Sequence, residues 1–389
     1  MAESTKVIAV DEDWEGGAGN ALGTLYAYQK ACSKAKELYG MDLDAEMGAG
    51  RAAAALYHTA GKGTRLAPLP GAEANNKPGV QLAAPAGGAA GAAAGGPLLT
   101  ILEAVIKQTG VYAASRGGRL SVFWGDQVFV PSVAAGRAPA AAHADILCKL
   151  IPMPSAEEWA AQGLEKYGLL AVGADGSAAQ VEKVDHATAT TMLASLGEIQ
   201  QVGTSLGSFS VSHALLALLL EEFAPELARK EGKLDSDPHL WMPLTLAAAD
   251  YVRLMGTKGV AEAEARAHHE RIAGLAARLA QAGGGLRTLG AVDVGADAYW
   301  WDYGQLKLYL ANNALIAGTS AEAAVYRRFL GLGEQRVAGS SLGTTEVAAE
   351  SCVVQGCALG GGRVAAGAVL AGVSAGEVLA GEGALLVGV

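Results

Sequence analysis

The end of the chain carries the sequence pattern that most restricts its fold. Over residues 347–389, small residues surround apolar residues that recur six positions apart. The recurring positions are Val347, Val353 and Leu359, then, after a slip in frame, Val364 and Leu370, and finally Leu379 and Leu385. This period predicts a hexapeptide left-handed β-helix, with one apolar residue per flat side and Gly or Ala at each corner. The pattern leaves open a Gly/Ala-rich tail packed on the rest of the chain.

The preceding residues alternate apolar runs with segments of helical period. Predicted strands cover residues 6–10, 52–58 and 120–124, a hairpin joins 169–172 to 180–184, and helices cover 97–109 and 261–282. This alternation is typical of an α/β fold built on a mixed sheet. We expect one α/β domain over residues 1–330 and the β-helix over residues 340–389. A low-complexity Ala/Gly stretch at about 84–96 is interpreted as a mobile surface insertion.

Composition excludes several classes of protein. The chain has 51% hydrophobic and 17% charged residues, which is too apolar for a disordered chain, yet no apolar run approaches the roughly 18 residues of a membrane span. Its net charge of −10 and lack of a basic stripe argue against nucleic-acid binding. The four cysteines form no CxxC pair, which favours a reducing compartment. The N-terminus lacks an apolar signal core, so we expect a cytoplasmic protein, or one in an organelle stroma if a transit peptide was removed.

The strongest chemical signal is a glycine loop that follows a predicted strand. The loop consists of Gly61, Lys62, Gly63, Thr64 and Arg65. Its glycines let backbone N–H groups approach an anion closely, as a phosphate-binding loop requires. Arg65 can clamp phosphate oxygens with two hydrogen bonds, and Lys77 adds a charge downstream. The spacing fits neither a Walker A motif nor a dinucleotide fingerprint.

Two aspartates are candidate metal ligands. Asp126 follows the apolar strand at 120–124, and Asp302 lies within the run Trp-Trp-Asp-Tyr-Gly at 300–304. A carboxylate at the end of a sheet strand is well placed to bind a hard cation. Taken singly, each aspartate is equally explained as a capping or turn residue.

These motifs, in this order, resemble the signature of the sugar-1-phosphate nucleotidyltransferases, also called nucleotide-sugar pyrophosphorylases. The resemblance implies a Rossmann-like mixed sheet of the GT-A type. It implies that the loop holds a nucleoside triphosphate, that Arg65 and Lys77 support the transition state, and that Asp126 and Asp302 hold Mg²⁺.

The same resemblance implies a sugar-phosphate site in the middle of the chain. Glu182 and Lys183 are similar to the Glu-Lys pair that contacts the sugar and its phosphate in that family, although Val184 replaces the usual proline. Gly207 belongs to a segment in the place of an Asn-x-Gly strand start, where Ser205 replaces the asparagine. An exposed strand pair without a site role remains an alternative for Glu182 and Lys183.

The unit that reads the base is expected near the N-terminus. Only residues 110–119 separate the helix from the next strand, too few for the base-reading unit found there in the family. Residues 16–25 look like that unit in a permuted position, an order similar to that of fucose-1-phosphate guanylyltransferases. The residues implied to bind nucleotide are Gly19, Asn20, Gly23 and Thr24. An unrelated glycine-rich loop is the alternative.

The sequence therefore predicts a Mg²⁺-dependent enzyme that joins a nucleoside triphosphate, UTP or GTP, to a sugar 1-phosphate, for example to make a UDP-sugar. A catalytically weak regulatory or scaffold subunit that binds nucleotide or nucleotide sugar is the main alternative. A sugar acyltransferase is disfavoured because no histidine follows His269. The exposed edge of a β-helix also allows a homo-oligomer, and no membrane or nucleic-acid partner is expected.

Overall fold

A computed structural model describes residues 5–59, 63–69, 77–114, 116–134, 140, 142–282, 285–348 and 350–389. The chain divides into two compact units, each assembled from separate stretches. Unit 1 contains Met1–His58, Gly110–Phe123 and Pro131–Ala298, and Unit 2 contains Thr59–Thr109, Trp124–Val130 and Tyr299–Val389. The predicted domain boundary between residues 330 and 340 stays a prediction.

The helices of the described residues are short, apart from two of 21 residues, α1 and α10. In chain order they are α1 (Gly19–Tyr39), α2 (Leu43–Gly48), α3 (Ile101–Ala114), α4 (Ala156–Gln162), α5 (His186–Met192), α6 (His213–Glu222), α7 (Ala224–Arg229), α8 (Met242–Thr245), α9 (Ala248–Thr257), α10 (Glu262–Ala282), α11 (Leu306–Ala314) and α12 (Ala321–Leu330). Among them, none combines the length and the apolar character that crossing a lipid bilayer requires.

The strands become very short toward the end of the chain. In order they are β1 (Ala54–His58), β2 (Gln81–Pro85), β3 (Leu98–Thr100), β4 (Arg119–Trp124), β5 (Gln127–Val130), β6 (Ala142–Pro152), β7 (Gly168–Gly173), β8 (Ala178–Glu182), β9 (Ile199–Ser212), β10 (Arg287–Asp293), β11 (Tyr299–Asp302), β12 (Val337–Ala338), β13 (Glu346–Val347), β14 (Val353–Gln355), β15 (Ala358–Leu359), β16 (Gly362–Val364), β17 (Val369–Ala371), β18 (Ser374–Ala375), β19 (Val378–Ala380) and β20 (Leu385–Val387).

Unit 1 is an α/β structure built on a mixed sheet. Its strand order is β1-β4-β9-β6-β10, and the hairpin β7–β8 joins through β7 to β9. β10 runs parallel to β6, whereas β9 runs antiparallel to both β4 and β6. Helices cover the apolar side, where the ring of Phe209 meets that of Trp241 edge-on at 5.1 Å. The predicted α/β class and the predicted hairpin are confirmed.

The first predicted strand, at residues 6–10, is wrong. This segment has no regular structure, and its side chains are largely exposed. Its carbonyl groups bond to side chains of α1: Tyr39 Oη donates to Val7 O at 2.9 Å, and Lys34 Nζ donates to Ala9 O at 2.7 Å. A run of four apolar residues is too weak a signal to decide whether the backbone pairs with a strand or with helix side chains.

The predicted helix at 97–109 begins late, because residues 98–100 form β3. Thr100 pairs with Gln81 and Leu98 with Pro85 in an antiparallel ladder with β2. The Ala/Gly stretch predicted to be a surface insertion starts inside β2 and continues over the unit's own backbone. Ala89 N–H donates to Gly331 O at 3.0 Å, which fixes this loop within Unit 2.

The end of Unit 2 consists of parallel sheets. Their strand orders are β12-β14-β17-β20, β13-β16-β19 and β15-β18. Val353 pairs with Val369, and Val369 pairs with Leu385, so successive partners are 16 residues apart. This spacing is shorter than three hexapeptides, which accounts for the slip in the sequence frame.

The shorter spacing also makes one prediction wrong. Leu379, which the six-residue period places inside, is 79% exposed, whereas its neighbour Val378 is only 7% exposed. Leu379 pairs with the exposed Arg363 on the outer side of the sheet. Val353, Val364 and the other recurring apolar residues up to Leu370 lie at least partly out of solvent.

Replacing Gly362 with Ala is expected to destabilise the parallel sheets by about 2–4 kcal/mol. Gly362 has φ +111°, and a Cβ there would lie 2.0 Å from Val378 O. The control is Gly381→Ala, because no atom lies within 4 Å of a Cβ at that position. Denaturant unfolding monitored by circular dichroism compares the two variants, and equal midpoints would contradict this packing.

Candidate functional site

Unit 2 brings four of the predicted site residues together around a glycine. A Cβ built on Gly304 would lie 3.0 Å from Asp302 Oδ1, 3.2 Å from Asp126 Oδ2 and 3.7 Å from Arg65 Nη2. The ammonium of Lys77 forms an ion pair with the Asp126 carboxylate. Gly304 therefore keeps open a small space bordered by both carboxylates and the guanidinium. These five residues are called the carboxylate site below.

Strand pairing places the two aspartates side by side. β11 runs antiparallel to β5, with Asp302 opposite Gln127, the residue after Asp126. Tyr303 N–H donates to Asp126 O at 2.9 Å and extends the ladder to the turn. Because Asp126 lies in the turn between β4 and β5, its position follows directly from this pairing.

Hydrogen bonds within the motif orient the second aspartate. Gly304 N–H donates to Asp302 Oδ1 at 2.6 Å, and Asn312 Nδ2 on α11 donates to Asp302 O at 2.9 Å. The side chain and the backbone of Asp302 are thus held separately. Such support from neighbouring groups is what positions a ligand for an incoming ion.

The two cationic residues lie on short 3₁₀ turns with buried anchors. Lys77 begins the turn Lys77–Gly79, whose Pro78 is buried, and its side chain is only 14% exposed. Arg65 lies in the turn Gly63–Leu66, where Leu66 is fully buried and Arg65 is exposed. The lysine is therefore shielded beside Asp126, while the arginine remains open to solvent.

The chain's own cations do not fully compensate the two carboxylates. Burial raises the pKa of Asp302, and the charge of Asp126 raises it further. The Gly304 N–H, Arg65 and Lys77 act in the opposite direction, but the pKa stays above its ordinary value. An additional cation at this place would stabilise the ionised form.

The loop itself is only partly described. Gly61 and Lys62 lie outside the described residues, and Gly63 and Thr64 begin the 3₁₀ turn that carries Arg65. Within the described ranges, no group of three or more His, Cys, Asp or Glu side chains could hold a metal ion. A metal at the carboxylate site would therefore take its remaining ligands from phosphate oxygens or water.

The start of α1, predicted to bind nucleotide, is bonded to the chain itself. Asn20 N–H donates to Asp235 Oδ1 at 3.0 Å, and its side-chain Oδ1 accepts from Ser236 N–H at 2.5 Å. A Cβ on Gly19 would lie 2.3 Å from Leu234 O. Close packing within Unit 1 therefore accounts for Gly19, and the Asn20 amide oxygen already has a partner.

Thr24 faces the end of β1. Its Oγ1 donates to Asn20 O at 2.7 Å and lies 2.9 Å from His58 Nε2, so the histidine donates in this second bond. Burial lowers the pKa of His58 to about 4, which keeps its ring neutral at physiological pH. A Cβ on Gly23 would contact this ring at 3.9 Å. Gly23 and Thr24 thus help to seat His58, the residue that ends β1.

In Unit 1, the predicted sugar-phosphate residues end β8. Glu182 pairs with Lys183 Nζ at 3.0 Å and also with Lys258. Burial alone would raise the pKa of Glu182, but hydrogen bonds from Lys258 and Lys183 outweigh it, so the pKa is lowered and the carboxylate is ionised. Lys183 has φ +55°, a left-handed conformation that is uncommon for a lysine and is found more often at functional positions.

Gly207 occupies a bulge in β9. Its φ is +74°, and its N–H donates to Ser205 Oγ at 3.1 Å. The ladder with β6 shifts register at this place, between Ile146 and Cys148. Bulges of this kind redirect side chains and often lie beside binding sites.

Sequence reasoning missed three residues beside Glu182. Gln180, Asp237 and Lys258 all act on the same group of charges. Gln180 lies two positions before Glu182 on one strand face, and the period of two could have revealed it. Neither Asp237 nor Lys258 carries a motif that would have done so.

Comparisons with known proteins name no relative. No protein-family model matches the sequence, and no match was found among curated proteins. The resemblance to sugar-1-phosphate nucleotidyltransferases therefore depends on the motif residues alone.

Asp302→Asn is expected to raise the melting temperature by a few degrees at pH 7.5, because the native state disfavours the ionised carboxyl. Asn keeps the oxygen that accepts from Gly304 N–H. Since the native pKa is above the unfolded one, the gain shrinks as the pH falls through the native pKa and the wild-type carboxyl becomes neutral. Differential scanning fluorimetry between pH 4 and 8 measures it, with the exposed Asp297→Asn as control. A uniform loss of stability at every pH would contradict the like-charge arrangement.

Proposed function

We propose that the chain is a Mg²⁺-dependent nucleotidyltransferase that joins a nucleoside triphosphate to a sugar 1-phosphate and releases pyrophosphate. The single observation that carries the proposal is the meeting of Arg65, Lys77, Asp126 and Asp302 around Gly304. These residues come from three separate stretches of Unit 2. Two carboxylates beside two cations suit a group that carries both phosphate and metal.

The residues present fit a magnesium ion. Asp126 Oδ2 and Asp302 Oδ1 both lie about 3 Å from the same point, the place that a Cβ on Gly304 would take. Hard carboxylate oxygens, few in number and completed by phosphate and water, are the ligands that Mg²⁺ prefers. When bound, the ion would neutralise charge on the phosphates.

The chain's own residues would mainly bind and orient two anions. Arg65, exposed and fork-shaped, would clamp triphosphate oxygens, and the Lys77 ammonium would share its hydrogen bonds between Asp126 and a phosphate. Lys183 would hold the phosphate whose oxygen attacks the α-phosphorus, while Glu182 would accept from sugar hydroxyls. The attack displaces pyrophosphate, and no covalent intermediate on the enzyme is needed.

We also propose the finer fold that this function implies. The sheet of Unit 1 would be of the GT-A type, and the parallel sheets at the end of Unit 2 would be the flat sides of a left-handed β-helix. The spacing of 16 residues shared by Val353, Val369 and Leu385 supports the second assignment. The bases favoured are uracil and guanine, and the compartment is the cytoplasm or an organelle stroma.

One observation favours a second function, that of a catalytically weak subunit that binds nucleotide or nucleotide sugar. At the start of α1, Asn20 N–H and Ala21 N–H already donate to Asp235 and Leu234. A nucleotide would have to bind there without the N–H groups that a helix start usually offers.

The test is pyrophosphate release with Mg²⁺, each of four nucleoside triphosphates and a panel of sugar 1-phosphates. At least one pair is expected to react. Asp126→Ala and Asp302→Ala should each reduce the rate by about 10²-fold or more, and Asp297→Asn should not change it. No release with any pair would reject the enzyme, and nucleotide binding without turnover would favour the second function.

A further inference from the structure

Unit 1 contains a small polar recess at the base of the hairpin β7–β8. Gly168 pairs with Glu182 across the hairpin. A Cβ on Gly168 would lie 3.5 Å from Asp237 Oδ2 and 3.6 Å from Gln180 Nε2, at ordinary contact distance. The missing side chain of Gly168 therefore leaves a space that Asp237, Gln180 and Glu182 border. This space is called the Gly168 recess.

Gln180 is a buried amide without normal hydrogen bonds. Its side chain is completely buried, and neither its Nε2 nor its Oε1 has a partner of acceptable geometry among the described residues. Its amide still lies close enough to Asp237 to favour the ionised carboxyl. An unsatisfied buried amide is costly, and a ligand in the recess would satisfy it.

Asp237 approaches the recess from a π-helix, Asp237–Trp241. Such segments are rare and occur frequently at functional sites. Burial raises the pKa of Asp237 to about 6, and the charge of Glu182 raises it further, while Gln180, Ser236 and Lys258 lower it. The carboxyl is thus a strong hydrogen-bond acceptor that lacks an ion-pair partner of its own among the described side chains.

The remaining titratable groups nearby are neutral or balanced. Glu182 is paired with Lys258 and Lys183. His239, on the π-helix, and His268 have pKa values lowered by burial, and His268 Nε2 bonds to His239 O at 2.8 Å. The recess therefore has little net charge, and it presents acceptors together with amide donors.

We infer that the Gly168 recess binds hydroxyl groups of a sugar ring, and that Asp237 and Gln180 determine which sugar is accepted. A hydroxyl both donates and accepts, so it can bond to the Asp237 carboxylate and to the Gln180 amide at once. A phosphate would face Asp237 and Glu182 and is disfavoured there. The inference rests on the proposed function only in that the sugar arrives as a 1-phosphate. A site that bonds a particular hydroxyl discriminates strongly against sugars that lack it.

The test measures binding by isothermal titration calorimetry, without nucleotide, for glucose, galactose, mannose, fucose and N-acetylglucosamine 1-phosphates. Asp237→Asn and Gly168→Ala are expected to weaken the best of these ligands at least about 10-fold. Neither variant should change the affinity for nucleoside triphosphate. Matched controls are Asp250→Asn, beside Arg253 on α9, and Gly256→Ala, where a Cβ meets no atom within 4 Å.

Thermal stability separates a binding role from a structural one. Because the native pKa of Asp237 is above the unfolded value, its ionised form destabilises the native state as the pH rises past about 6. Asp237→Asn should therefore raise the melting temperature at pH 7.5 and leave it unchanged at pH 4.5. A structural aspartate would instead lose stability on substitution.

Each outcome decides one of the two proposals. If the wild type releases pyrophosphate and both variants bind sugar 1-phosphates normally, the inference about the recess is wrong and the proposed function stands. If the variants bind more weakly but no protein turns over, the recess assignment stands and the enzyme proposal fails. A wild type that binds none of the five sugar phosphates overturns the inference.

Discussion

The arrangement of Unit 2 depends on holding two like charges close together. Asp126 and Asp302 present oxygens to one point beside Gly304, and their mutual repulsion contributes to the raised pKa of Asp302. Lys77 and Arg65 reduce that repulsion without removing it. The β5–β11 ladder, the Gly304 N–H and the Asn312 amide all keep the carboxylates in place. Such a constraint costs stability, and proteins accept that cost where binding or catalysis requires it.

The residues of the carboxylate site could be predicted from the sequence, but their geometry could not. The loop with Arg65, the downstream Lys77 and the two aspartates each stand out as motifs. Their meeting depends on the pairing of Asp302 with Gln127, strands that are far apart in the chain. Nothing local in either strand specifies that partner, because short strands acquire their pairing from packing.

Glycines illustrate the limit of prediction most clearly. Gly304 leaves space between charged side chains, whereas Gly19 is required by contact with Leu234 O in the same unit. Both look like ligand-approaching glycines in the sequence, since each lies in a motif near a helix start. In the same way, the six-residue period correctly indicated buried apolar positions up to Leu370 and failed at Leu379, where coils of 16 residues shift the frame. Asp237 had no signal at all, because a π-helix has no sequence signature that a helical period would reveal.

The central claim is that Asp126 and Asp302 form a divalent-cation site that phosphate completes. Electron paramagnetic resonance of Mn²⁺ tests it directly and without reference to catalysis. With a non-hydrolysable nucleoside triphosphate present, we predict one bound Mn²⁺ per chain, and Asp126→Ala or Asp302→Ala should weaken it about 10-fold or more. Binding of Mn²⁺ by both variants with the wild-type affinity would contradict the account.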